Sequence, residues 1–194
     1  MGTLIRKATV NDAKQVADVI NSVISEGKYT LFDRVFSEEE ERAFILSLRD
    51  RSAVYVAEID NAVVGVQSID LFANFAESVR HVATMGTWLR TDFRGRGIGR
   101  LLAEESFRFA RSADYRKVVI QILVDNEAAL RFYRSLGFQD IGIARLHVRL
   151  GGTCLYGCFS RPPYVEDADV RRSLASQSPS RVPPDARFRC SRRF

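Results

Sequence analysis

Seven consecutive residues, Arg94-Gly95-Arg96-Gly97-Ile98-Gly99-Arg100, alternate arginines with glycines near the middle of a 194-residue chain. Glycines at every second position let the backbone turn sharply and come close to a ligand. The amphipathic run Leu101 to Ala110 that follows opens a helix whose first N–H groups lack intrahelical partners and carry the positive end of the dipole. The chemistry these residues support is capture of an anion on backbone amides, with arginine charge around it; the competing reading is a flexible basic turn. Two common nucleotide fingerprints do not fit. Arg100 stands where GxGxxG needs its third glycine, and no Gly-Lys-Ser/Thr of a P-loop follows. Tyr29 and Phe32, in the stretch Lys28 to Phe36, are aromatics that either line a substrate mouth or anchor the core.

The elements that must position these residues are legible from periodicity. Leu4 to Lys7 reads as a strand, and Asn11 or Asp12 caps a helix with Val16, Val19, Ile20, Val23 and Ile24 on one face, ending near Gly27. Ser37 to Glu40 forms a capping box for a second helix over residues 38 to 50. Two strands, Ala53 to Ile59 and Ala62 to Phe72, are joined by the turn dipeptide Asp60-Asn61. The strand Val82 to Leu89 leads into the glycine-rich turn, and a helix from Ile98 to about Ala113 places Ile98, Leu101, Leu102 and Phe109 on the sheet. The near-continuous apolar run Lys117 to Val124 is a buried strand. Asn126 to Leu136 is a helix closed by Gly137, and Ile141 to Leu150 with Thr153 to Phe159 forms a hairpin about Gly151-Gly152. Helices interleaved with strands make an α/β architecture whose ligand belongs at the carboxyl end of a strand facing a helix N-terminus.

Arg94-x-x-Gly97-x-Gly99, followed by Asn126-x-x-Ala129-x-x-Phe132-Tyr133-x-x-x-Gly137-Phe138, resembles the GCN5-related N-acetyltransferase (GNAT) family, with the flavour of its phosphinothricin-acetyltransferase-like branch. The resemblance covers Leu4 to about Leu150. It implies the GNAT fold, a mixed and mostly antiparallel sheet of six to seven strands flanked by about four helices. It implies acetyl-CoA as co-substrate and no metal. The pyrophosphate would sit on Arg94, Gly95, Arg96, Gly97, Ile98, Gly99 and Arg100, and backbone groups of Trp88 and Leu89 would pair with the pantetheine arm. Phe132 of the second motif would also contact the cofactor, and Asn126 would bond the pantetheine or its strand neighbour, or simply cap its helix. Tyr133 matches the family tyrosine that protonates the departing thiolate, where charge develops in the transition state. A strand amide near Leu89 would hold the oxyanion.

The chain departs from the family at the general base. Val82 to Leu89 holds no carboxylate, and Thr84 or Ala83 occupies the place where many relatives carry glutamate. Glu58, Glu77 and His81 are the remaining candidates, each also readable as a solvated surface residue; a water chain is the alternative, because positioning amine and thioester together supplies much of the rate. The expected reaction is direct attack of a primary amine, on a small amino-acid-like molecule by the branch resemblance. A non-catalytic acyl-CoA sensor and transfer to a protein amine are the other readings. Cys154, Cys158 and Cys190 are read as free thiols, with no partner pair suited to zinc.

Charge is unevenly placed. Of the net +5, residues 161–194 hold eight arginines against four acids, together with all five prolines of the chain. A GNAT acetyltransferase domain over residues 1–160 and an Arg/Pro/Ser-rich, unfolded tail over 161–194 are therefore expected. The tail is either an accessory arm or the product of a reading-frame change, and without interleaved aromatics it does not read as a nucleic-acid binder. No apolar run approaches the roughly 20 residues of a membrane span and the polar start lacks a secretory core, so a cytoplasmic location without membrane partners is expected. The branch commonly forms homodimers, and no residue pattern here specifies one.

Overall fold

The computed structural model describes residues 2–150 and 153–161. The strands are β1 (Leu4–Lys7), β2 (Ala53–Ile59), β3 (Ala62–Leu71), β4 (Val82–Leu89), β5 (Lys117–Leu123), β6 (Gln139–Leu150) and β7 (Thr153–Arg161). The helices are α1 (Ala13–Ser25), α2 (Glu38–Ser47), α3 (Ile98–Ser112) and α4 (Glu127–Ser135). The strands form one seven-stranded sheet in the order β1-β2-β3-β4-β5-β7-β6. Among the described residues its one parallel pair is β4 with β5. That pairing covers Val82–Thr84 against Lys117–Val119 and goes no further, because β5 turns to β7 from Ile120 onward. Residues 85–89 of β4 therefore have an edge unpaired by β5.

Alternation along the strands divides the core between the two faces. Val54, Val56, Val63 and Val66 face Val16, Val19 and Ile20 of α1. On the other face Ala53, Tyr55, Ala57, Val64, Ile69 and Met85 meet Ile98, Leu102 and Phe109 of α3 and Tyr133 of α4. The β2–β3 hairpin turns on Asp60 (φ 50°) and Asn61 (φ 65°), two residue types that tolerate the left-handed region a two-residue turn demands.

The Ser37 capping box forms as read: Ser37 Oγ accepts from the Glu40 amide at 3.2 Å and the Glu40 carboxylate accepts from the Ser37 amide at 2.8 Å. α2 stops at Ser47, short of the expected residue 50, because Leu48 turns extended. Leu101 does not face the sheet as expected; it is 40% exposed, one position off the buried stripe set by Ile98, Leu102 and Phe109. Asp12 does not cap α1 through its side chain. Its carboxylate instead accepts from the Thr9 amide at 2.7 Å and takes both arms of Arg6 at 2.8 Å. The Gly151-Gly152 turn and the tail from residue 162 lie outside the described residues.

Candidate active site

The glycine-rich turn has the backbone its composition calls for. Gly95 (φ 73°) and Gly97 (φ 80°) are left-handed, and Gly97 is the N-cap of α3. Among the described residues no partner is found for the amides of Gly95 through Gly99, which leaves a run of donors at the positive end of a 15-residue helix. Gly99 is needed for a different reason: a Cβ there would stand 3.1 Å from the Phe132 ring, so the glycine lets α3 and α4 approach.

A cleft of about 620 Å³ runs from this turn to α4. Tyr29, Leu89, Arg94, Gly95, Gly97, Ile98, Gly99 and Arg100 line it, together with Asn126, Phe132 and Tyr133. One wall is the open edge of β4. The Arg90 amide donates to the Val64 carbonyl of β3, so by strand alternation the backbone groups of Thr87 and Leu89 point the other way, toward the gap left by β5. Trp88 does not share this position. Its backbone groups face β3, and its indole lies on the opposite face of the sheet, packed over Gly86.

Tyr133 is 7% exposed, and its hydroxyl meets Thr87 Oγ1 at 2.7 Å. Burial pushes the phenol up to about 12, only partly offset by the Thr87 hydrogen bond. It is thus a neutral proton donor across the physiological range. Asn126 does cap α4, accepting from the Ala129 amide at 3.1 Å, while its Nδ2 points to the Tyr29 carbonyl at 3.5 Å.

The three arginines of the turn have separate placements. Arg94 turns back onto Glu26 at the end of α1: Nη1 donates at 2.9 Å and Nη2 pairs with the other carboxylate oxygen. Its Nε donates to the Leu89 carbonyl at 3.1 Å, and its guanidinium covers the Tyr29 ring. Arg94 therefore braces the turn against α1 and the 28–36 stretch, and the Glu26 carboxyl is lowered in consequence. Arg96 lies over Phe93 outside the cleft lining, whereas Arg100 lines it and donates to Ser135 Oγ at 3.3 Å.

None of the three base candidates lines the cleft. Glu58 is bound by Arg6 at 2.6 Å near the sheet edge, Glu77 is exposed and paired with Arg80, and His81 is exposed at the start of β4. Tyr29 lines the cleft, but Phe32 stacks on Trp88 across the sheet, 5.7 Å between centroids at 9°.

Sequence reasoning did not find Glu26, Thr87, Gln67 or Glu41. Thr87 stands two residues before Leu89, on the face Tyr133 shares, a position that strand alternation could have flagged. Gln67 is its cross-strand neighbour, fully buried, with both amide atoms unpartnered among the described residues. Glu41 sits among four consecutive glutamates, and only packing distinguishes it.

These features make an amide-lined cleft on a splayed sheet, and comparison with known proteins gives the family. The model of the acetyltransferase (GNAT) family matches residues 22–138, and the chain belongs to that family. Over 64 residues the chain is 44% identical to the N-alpha-acetyltransferase RimI of Mycobacterium tuberculosis, covering 33% of this chain and 39% of that protein. Matches to the first curated relatives span between 28% and 47% of those proteins' lengths. The ribosomal-protein-alanine N-acetyltransferase from Brucella melitensis superposes with a TM-score of 0.77 at 28% identity, over 81% of this chain and 98% of that one. A phosphinothricin acetyltransferase from Sinorhizobium meliloti, solved in complex with AcCoA, is alike in fold, with a TM-score of 0.78 at 22% identity over 86% of this chain and 90% of that one.

Proposed function

We propose that the protein transfers the acetyl group of acetyl-CoA to the primary amine of a small molecule by direct attack. The observation that carries this reading is that one cleft is lined both by Gly95, Gly97, Ile98 and Gly99, whose amides have no partner among the described residues, and by the buried phenol of Tyr133. The amides suit a pyrophosphate, with Arg100 adding charge. The open backbone groups of Thr87 and the amide of Leu89, whose carbonyl already accepts from Arg94, suit the amides of a pantetheine arm laid along β4 as an added strand. A thioester carried to the inner end of that arm would meet Tyr133. The neutral amine attacks the carbonyl carbon, a free-edge amide of β4 near Leu89 holds the oxyanion, and as the C–S bond breaks Tyr133 delivers its proton to the sulfur.

With no carboxylate at the expected place on β4, the proton of the incoming ammonium leaves through water or a group of the acceptor side. Acetyl-CoA turnover on a panel of amines, followed as thiol release, tests the reading. Acetyl-CoA binding without thiol release on any amine would favour a sensor instead. The likeness to RimI and to the Brucella enzyme supports a second acceptor, the α-amine of a protein chain. Peptides with free N-termini therefore belong on the panel.

A further inference from the structure

Among the described residues four buried side-chain polar atoms have no hydrogen-bond partner, and three of them belong to two residues: Nε2 and Oε1 of Gln67 and Oγ of Ser106. Both residues are 0% exposed. Burying a carboxamide and a hydroxyl unpaired is costly, and a methionine and an alanine would fill the same space without that cost. Gln67 stands in a row across three strands. It pairs with Tyr55 of β2 on one side and Thr87 of β4 on the other, and such pairs send their side chains to one face, with Cβ atoms about 5 Å apart. That face carries Tyr133, whose hydroxyl meets Thr87 Oγ1 at 2.7 Å. Ser106 comes over the row from α3, which runs back along β4 to reach the parallel strand β5 and so runs in the direction of β3. Leu102 lies against Gly65, where an added Cβ would stand 3.3 Å from its Cδ1. Four helix residues beyond Leu102 and two strand residues beyond Gly65 are displacements of about 6 Å and about 7 Å, which sets Ser106 above Gln67.

The Thr87 hydroxyl carries one proton, and its direction matters. With Tyr133 as donor to Thr87, the phenolic proton is spent there and aims away from the thioester sulfur. With Thr87 as donor to Tyr133, the phenol keeps its own O–H free for the sulfur. A second donor on Thr87 Oγ1 selects the latter arrangement. We propose that Gln67 and Ser106 hold one buried water against Thr87, and that Gln67 is a positioning residue that keeps the Tyr133 proton available for the departing thiolate. Gln67 Nε2 donates to the water, the water donates to Thr87 Oγ1 and to Ser106 Oγ, and the Ser106 hydroxyl donates to Gln67 Oε1. All three unpartnered atoms are then used, and the water makes three hydrogen bonds, which is about the usual number for a buried one. Tyr133 gives its proton to sulfur and regains one from solvent in the cleft, while Thr87, the water and Gln67 only hold direction. The assignment rests on the transfer reading above.

A crystal structure of the full chain at a resolution that shows waters is expected to place one about 3 Å from Gln67 Nε2, Ser106 Oγ and Thr87 Oγ1. Gln67→Met, which keeps the volume and removes the carboxamide, is expected to lower kcat on the best amine of the panel about tenfold, the scale of one hydrogen bond. Gln67 does not line the cleft, so KM for the amine and acetyl-CoA affinity by calorimetry are expected to stay unchanged. Ser106→Ala puts the best helix former on α3 and is expected to act in the same direction, which keeps the test open should Gln67→Met fail to fold. Both effects are expected to vanish in a Thr87→Val background, because Gln67 acts only through that hydroxyl. Equal losses with and without Thr87, an unaltered kcat in the variants, or a Gln67 amide without the water would each overturn the role. A chain that holds the water yet releases no thiol on any amine loses the transfer reading and this role with it; a chain that turns over amines while one of those outcomes is found loses the role alone.

Discussion

At the scale of single residues, the cleft contains one proton donor whose environment suits the reaction proposed for it. Tyr133 is held neutral by burial, at about 12, and is oriented by Thr87. Tyr133→Phe is expected to lower kcat by about 10²–10⁴-fold, the usual scale of a lost general acid, with acetyl-CoA affinity unchanged by calorimetry. In the wild type the rate is expected to rise with pH as the amine loses its proton, with no descending limb from Tyr133 below its raised pKa; a fall centred near pH 10 would contradict the assignment. Glu41 makes the opposite kind of prediction. Its carboxyl is raised, first by burial and then by the neighbouring Glu40 charge. A carboxyl raised in the folded state destabilises the fold while ionised, and the cost fades as pH falls from the raised value toward the ordinary 4.5. Glu41→Gln is therefore expected to stabilise the free protein at neutral pH by on the order of 1 kcal/mol, read as a higher Tm. A lower Tm would show that the carboxylate has a structural partner after all.

At the scale of elements, the turn between β4 and α3 is where conformation and charge can be separated. Gly97 has φ 80°, and a Cβ there meets nothing within 4 Å. Gly97→Ala therefore suffers only the strain of a left-handed residue, about 1–2 kcal/mol, and the amide nest survives. Gly97→Asp adds a negative charge at the same amides and is expected to abolish CoA binding, so the two variants should melt alike and bind differently; equal CoA affinity would sink the pyrophosphate assignment. The backbone of this turn was legible in the sequence because its glycines answer to backbone angles, which are local. The strands and helices were legible for the same reason, through period and caps. What the sequence did not show was which element each face of the sheet meets. Trp88 and Leu89 are adjacent in sequence, yet strand alternation sends one to each side. Arg94 reads as a phosphate ligand by its position in the motif, but Glu26, sixty-eight positions earlier, claims it. Glu41 is one of four identical neighbours until α2 is docked.

At the scale of the whole sheet, the proposed transfer depends on the sheet's staying rigid while β4 and β5 remain splayed. Part of that rigidity comes from Arg6, which ties three segments together near the β1–β2 edge. Its guanidinium takes both oxygens of Asp12 at 2.8 Å, where the chain enters α1, and Glu58 of β2 at 2.6 Å. The Arg6 hydrogen bonds, followed by those from Thr9, hold the Asp12 carboxyl down at about 2 despite its burial. A depressed carboxyl contributes stability above its unfolded pKa, near 3.8, and loses it as pH falls toward the folded value. The Asp12 side chain is only 7% exposed and Arg6 is 32% exposed, so screening is partial and the contribution is on the order of 1–3 kcal/mol at neutral pH. Asp12→Asn is expected to lower the urea midpoint at pH 7 by a corresponding amount and to flatten the loss of stability between about pH 4 and pH 2. Should the variant and the wild type lose stability in parallel across that window, the acid sensitivity of this fold would lie elsewhere than in the Arg6 cluster.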